Sequence, residues 1–128
     1  MFIKNVKNVE EIIAGDGSFL KEILHPLKDI VDINYSIALA KVKPKQTTLK
    51  HKLKASSEVY FMLKGKAKMY IDNETKIVGE GDIIYIPPSS IQRIENVGEE
   101  ELIFLCIVSP PWRKEDEEII QGDETLSQ

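Results

Sequence analysis

Cysteine and histidine are scarce in this 128-residue chain, which has one Cys and two His. The single thiol, Cys106, excludes an intrachain disulfide. Two histidines offer little for a Ser–His–acid triad. There is no Gly-rich phosphate loop, Walker pattern or Cys-x-x-Cys pair. No apolar run approaches the ~20 residues needed to cross a bilayer. The opening MFIKNVKNVEEI also lacks the basic-then-apolar character of an export signal. A cytoplasmic protein with no membrane partner is the expectation. Aromatics are missing from the lysine-rich AKVKPKQTTLKHKLK, which therefore reads as a solvated face rather than a nucleic-acid surface. The net charge of −4 comes largely from acids in the tail, RKEDEEIIQGDE.

What the chain does contain is short strands. A length of 128 residues suits one domain, since a single core commonly serves about 100–200 residues. Runs rich in Ile, Val and Tyr recur about every ten residues between Gly, Pro, Asn and Asp clusters: DINYSIALAKV, EVYFMLKG, KMYID, KIV, DIIYIP, IQRIEN and LIFLCIVS. This is the pattern of an all-β sandwich or barrel. DNET reads as a hairpin loop of roughly four residues. VEEII could form a helical turn, and WRKEDEEIIQGDETLSQ a short helix with a frayed end. The organisation expected is an N-terminal strand or extension over 1–30, a barrel over 31–112 and an acidic tail over 113–128.

Side chains alternate across a strand, so Glu58, Tyr60 and Met62 share one face of EVYFMLKG, and Val59, Phe61 and Leu63 the other. Both faces are largely apolar, as are those of LIFLCIVS. One barrel interior covers a single face, so the other calls for a second layer or, more simply, a homodimer.

Two spaced motifs carry a family resemblance. His51-Lys52-Leu53 is followed by four residues, Glu58, six residues and Gly65. Gly81 is followed by five residues, Pro87-Pro88-Ser89, two residues, Gln92, three residues and Asn96. Together they resemble the two signature motifs of the cupin superfamily, His-x-His…Glu…Gly and Gly…Pro-x-Gly…His…Asn. The resemblance is closest to small single-domain cupins. It implies a double-stranded β-helix, or jelly-roll, barrel with an N-terminal extension and a short C-terminal helical tail. Cupins commonly hold one Zn, Fe, Mn, Ni or Cu ion with three His and one Glu. This chain departs from that pattern: Leu53 stands for a histidine, Ser89 for the glycine and Gln92 for the last histidine.

Mapped residue by residue, the resemblance leaves His51, Glu58 and Gln92 as metal ligands for a divalent ion. Tyr60 is the candidate general acid or orienting hydroxyl. Met62 and Asn96 are candidate pocket residues, as is Cys106 if its strand face lines the cavity. His25, before a proline, reads as a surface or strand-end histidine that an N-terminal strand could bring to the cavity mouth. Trp112 reads as a staple for the tail. Two functions stay open: a metal-dependent, isomerase-like enzyme acting on a small polar or anionic molecule such as a sugar or keto acid, and a non-catalytic small-molecule binder with a vestigial site.

Overall fold

A computed structural model describes residues 1–120. The end of the tail, expected to fray, lies outside the described residues. Among the described residues there are eleven strands: β1 (Ile12–Ile13), β2 (Phe19–Leu24), β3 (Ser36–Val42), β4 (His51–Leu53), β5 (Ser57–Lys64), β6 (Lys66–Ile71), β7 (Glu74–Gly79), β8 (Ile83–Ile86), β9 (Gln92–Asn96), β10 (Leu102–Ser109) and β11 (Glu117–Ile119). They form two antiparallel sheets, ordered β1-β2-β3-β10-β5-β8 and β11-β4-β9-β6-β7. This is the two-sheet jelly-roll barrel that the strand pattern and the resemblance imply.

Alternation builds the core. Along β5, Glu58, Tyr60 and Met62 are buried while Val59 and Phe61 are half-exposed. Along β10, Leu102, Phe104, Cys106 and Val108 are buried and the residues between them are not. Register brings these faces together, with Phe104 opposite Met62, Cys106 opposite Tyr60 and Val108 opposite Glu58. Met62, Met69, Ile94 and Leu102 pack solidly at one end of the barrel. Toward Glu58 and Val108 the interior opens into a cavity.

Local chemistry fixes the connections. Gly65 turns β5 into β6 at φ 97°, and a Cβ there would lie 3.1 Å from Leu102 Cα and 3.3 Å from the Glu101 carbonyl oxygen. Both the conformation and the space demand glycine. The hairpin between β6 and β7 is tighter than the four residues expected. Ile71 pairs with Glu74, and only Asp72 and Asn73 lie outside the strands, Asp72 at φ 52°. Such a two-residue loop matches the twist of the flanking strands. Ser89 holds the left-handed conformation (φ 71°) where the cupin pattern has glycine. Its N–H donates to the Leu53 carbonyl at 2.7 Å and its hydroxyl to the Lys54 carbonyl at 3.1 Å.

The ends of the chain join the sheets. A 3-10 turn spans Val6–Asn8 rather than VEEII, and Ile12 and Ile13 of that segment are extended. The tail makes one 3-10 turn, Lys114–Asp116, and then runs as β11. Two forces produce the strand. Buried Asp116 accepts from the backbone N–H groups of Ala55 (2.7 Å) and Ser56 (3.1 Å), anchoring the turn. The open edge of β4 then offers Glu117–Ile119 a partner in His51–Leu53. No helix among the described residues is long and apolar enough to cross a membrane.

Candidate functional site

The cavity has a volume of about 530 Å³. Its walls come from β2, β3, β4, β5, β10 and β11, and the β1–β2 hairpin covers part of its rim. His51 and Glu58 both line it, although each is more than nine-tenths buried.

His51 begins β4 and pairs in register with Gln92 of β9, which places the two side chains on one face. The ring Nδ1 is 2.8 Å from the Leu49 carbonyl oxygen. A carbonyl only accepts, so Nδ1 carries the proton and the Nε2 lone pair is left toward the cavity. The Asp16 carboxylate stands 3.8 Å from Nε2.

Glu58 is the most perturbed acid of the site. Burial lifts its pKa from an ordinary 4.5 to about 7, opposed by a hydrogen bond from Gln92 and the nearby His51. Gln92 Nε2 donates to Glu58 Oε1 at 3.0 Å, and Tyr60 Oη donates to Gln92 Oε1 at 2.7 Å. Oε2 of Glu58 has no hydrogen-bond partner among the described residues. Tyr60 packs on Phe104 with ring centroids 4.5 Å apart. Burial, with Glu58 adding to it, raises the phenol well above 10, so Tyr60 stays protonated and donates its hydroxyl hydrogen to Gln92.

Of the remaining sequence candidates, Cys106 lines the cavity, and burial pushes its thiol up, keeping it protonated. Met62 and Asn96 lie elsewhere. Met62 is fully buried in the packed end of the barrel. Asn96 donates to the carbonyls of Val42 (2.9 Å) and Glu100 (2.8 Å) and accepts from the Gly98 N–H (2.9 Å). Both of its amide hydrogens and its carbonyl are therefore engaged in tying the turn after β9 to the end of β3. His25 is buried with both ring nitrogens engaged: Nδ1 accepts from the Leu27 N–H (3.1 Å) and Nε2 donates to the Trp112 carbonyl (2.7 Å). That bond, and one from the Trp112 N–H to Ser36 Oγ (2.9 Å), set the Trp112 backbone at the cavity wall.

Three cavity acids escape a reading of the sequence: Asp16, Glu22 and Glu117. Asp16 sits in the β1–β2 hairpin, accepting from the Ser18 N–H (3.0 Å) and hydroxyl (2.7 Å). The Leu49 N–H donates to the Asp16 carbonyl (2.8 Å), which ties this hairpin to the strand carrying His51. The signal available was GDGS, an Asx-turn pattern. Glu117 lines the cavity from β11, and burial raises its pKa. Nothing local marks it, because its position depends on β11 pairing with β4.

The ion implied by the resemblance does not fit these donors. Leu53 lines the wall with no lone pair to offer. Gln92 gives its carbonyl to Tyr60 and turns its NH₂ toward Glu58. Among the described residues no three His, Cys, Asp or Glu side chains converge as a metal site.

Comparison with known proteins supports the fold from three directions. The chain is 41% identical over 113 residues to an uncharacterised protein of Methanocaldococcus jannaschii, covering 88% of this chain and 90% of that one. It is 29% identical over 103 residues to a glucose-6-phosphate isomerase of Thermococcus kodakarensis, covering 77% of this chain but 49% of the relative, so it spans about half that enzyme's length. Among solved structures, Streptomyces Pac13 with uridine superposes with a TM-score of 0.76 at 18% identity, covering 94% of this chain and 92% of that one. Residues 38–108, more than half the chain, match the family profile of the cupin domain. This protein belongs to the cupin family.

Proposed function

We propose that this cupin binds a small polar molecule in its cavity and moves a proton on it, in the manner of an isomerase. The observation that carries the reading is the convergence on one cavity of a carboxyl group that burial pushes up to about 7 and an imidazole whose Nε2 keeps its lone pair, 3.8 Å from the Asp16 carboxylate. General acid–base catalysis is most efficient when the group's pKa lies near the working pH. Glu58 has that pKa and an oxygen turned to the cavity. His51 supplies the second site for a proton, with Asp16 placed to stabilise the imidazolium. Keto–enol isomerisation of a sugar-like compound requires such a pair, one group removing a proton from carbon while the other protonates oxygen. The likeness to a glucose-6-phosphate isomerase agrees with this class.

Charge refines the substrate. Four acidic side chains line the cavity (Asp16, Glu22, Glu58 and Glu117) against two lysines, Lys28 and Lys114. Lys28 is paired to Glu22, and Lys114 is exposed at the mouth. A neutral polyhydroxy carbonyl compound therefore suits the depth of the cavity better than an anion.

The outer face of the six-stranded sheet carries Leu39, Phe61, Leu105 and the strongly exposed Ile83 and Tyr85. A contiguous apolar face of this kind supports the homodimer expected from the sequence. Sedimentation equilibrium reads it directly, and a monomer at micromolar concentration would remove the dimer.

The test of function is isotope exchange. Aldoses and ketoses are incubated with the protein in D₂O and followed by proton NMR. Loss of a carbon-bound proton signal is expected with wild type and not with Glu58→Gln or His51→Ala. Ligand-induced thermal stabilisation without exchange would instead establish a binder.

A further inference from the structure

At the position where the cupin pattern has its last histidine, this chain sets an amide that is held at both ends. Tyr60 is buried, and among the described residues its hydroxyl has one partner, Gln92 Oε1 at 2.7 Å. A phenol carries a single hydrogen. If Tyr60 accepted from the amide NH₂ instead, that hydrogen would be stranded, at a cost of about 1–3 kcal/mol. The amide is therefore oriented with its carbonyl to Tyr60 and its NH₂ to Glu58 Oε1, 3.0 Å away. The NH₂ is the positive end of the amide dipole. A cation held by positions 58 and 92 would need an acceptor from each, and this orientation turns a donor toward Glu58 instead. On β4, Leu53 takes away the other imidazole of the pattern and lines the wall with carbon.

We infer that Gln92, locked by Tyr60, does the electrostatic work of the missing ion: it is a positioning residue that holds Glu58 by Oε1, leaves Oε2 facing the cavity and closes the position to divalent cations. This deepens the proton-transfer reading and rests on it for the role of Glu58. Its test reads bound metal and not turnover, so failure of either idea is visible separately.

The untagged full-length protein is dialysed against Zn²⁺, Mn²⁺ and Ni²⁺ in turn, and retained metal is measured by elemental analysis. Wild type is expected to retain no more ion than the His51→Ala variant. The Leu53→His/Gln92→His double variant restores two imidazoles beside His51 and Glu58, and is expected to retain about one equivalent of Zn²⁺. Wild type holding about one equivalent that His51→Ala loses would overturn the inference. So would a double variant that is folded by circular dichroism yet binds no ion. If the double variant does not fold, Gln92→His alone replaces it, and the wild-type comparison still decides.

Discussion

Replacing Glu58 with glutamine removes an acid that burial pushes up to about 7, and the effect on stability can be worked out in advance. The folded-state value of about 7 exceeds the ordinary value of 4.5. Below pH 4.5 the group is protonated in both folded and unfolded chains and contributes no difference. As pH rises from there, the unfolded chain releases its proton while the folded one keeps it, so unfolding becomes steadily more favourable. Above pH 7 both states are ionised and the loss is complete. At 1.36 kcal/mol per pKa unit, a shift of this size amounts to about 3 kcal/mol lost between pH 4.5 and 8. Glutamine keeps the shape and can still pair with Gln92, but it does not titrate. Urea unfolding of both proteins at pH 5 and pH 8 measures the difference. Wild type is expected to lose about 2.5 kcal/mol more than Glu58→Gln over this range, because part of the loss has already occurred by pH 5. Glu117, raised in the same direction by burial, leaves a residual slope common to both proteins. Asp16 and His51 likewise face Glu58 in both. Equal pH slopes for the two proteins would refute the assignment of Glu58 as the buried, near-neutral acid.

Four further substitutions, at three positions, probe the supporting structure by urea unfolding. Tyr60→Phe leaves Gln92 Oε1 without a donor and is expected to cost about 1–3 kcal/mol; an unchanged midpoint would contradict the lock on the amide. Gly65→Ala is expected to cost at least about 1–2 kcal/mol from its left-handed backbone, with the close contact to Leu102 adding more. Ser89→Val is expected to lose about 1–2 kcal/mol for the same backbone reason, whereas Ser89→Gly should stay within about 1 kcal/mol of wild type, because relief of strain offsets the lost hydroxyl bond to Lys54.

The barrel was legible because apolar alternation is local and repeated. Glu58, Tyr60 and Met62 alternate with Val59 and Phe61 in the sequence, and the folded strand buries the first set. Motif spacing also brought His51 and Gln92 within one pairing of each other. Depth along the barrel was not legible. Period-two alternation gives the side of the sheet but not the distance from the open end, so Met62 falls in the packed core while Glu58, four residues earlier on the same face, borders the cavity. Asn96 matches its motif by spacing, yet its bonds to Val42, Glu100 and Gly98 make it a turn fastener. Glu117 was hidden for another reason. The acidic tail has good local helix formers, and only a free strand edge far away in sequence makes it extended. Asp16 depended similarly on a hairpin pinned to Leu49.

The account stands on the protonation of one buried carboxyl group, and NMR reads it directly. With ¹³C-labelled glutamate, the Glu58 side-chain carboxyl resonance, assigned by its loss in Glu58→Gln, is followed from pH 3 to pH 9. A midpoint near 7 is predicted, well separated from that of exposed glutamates. A midpoint near 4.5 would mean that Glu58 is an ordinary carboxylate, and the proton-transfer reading would fall with it.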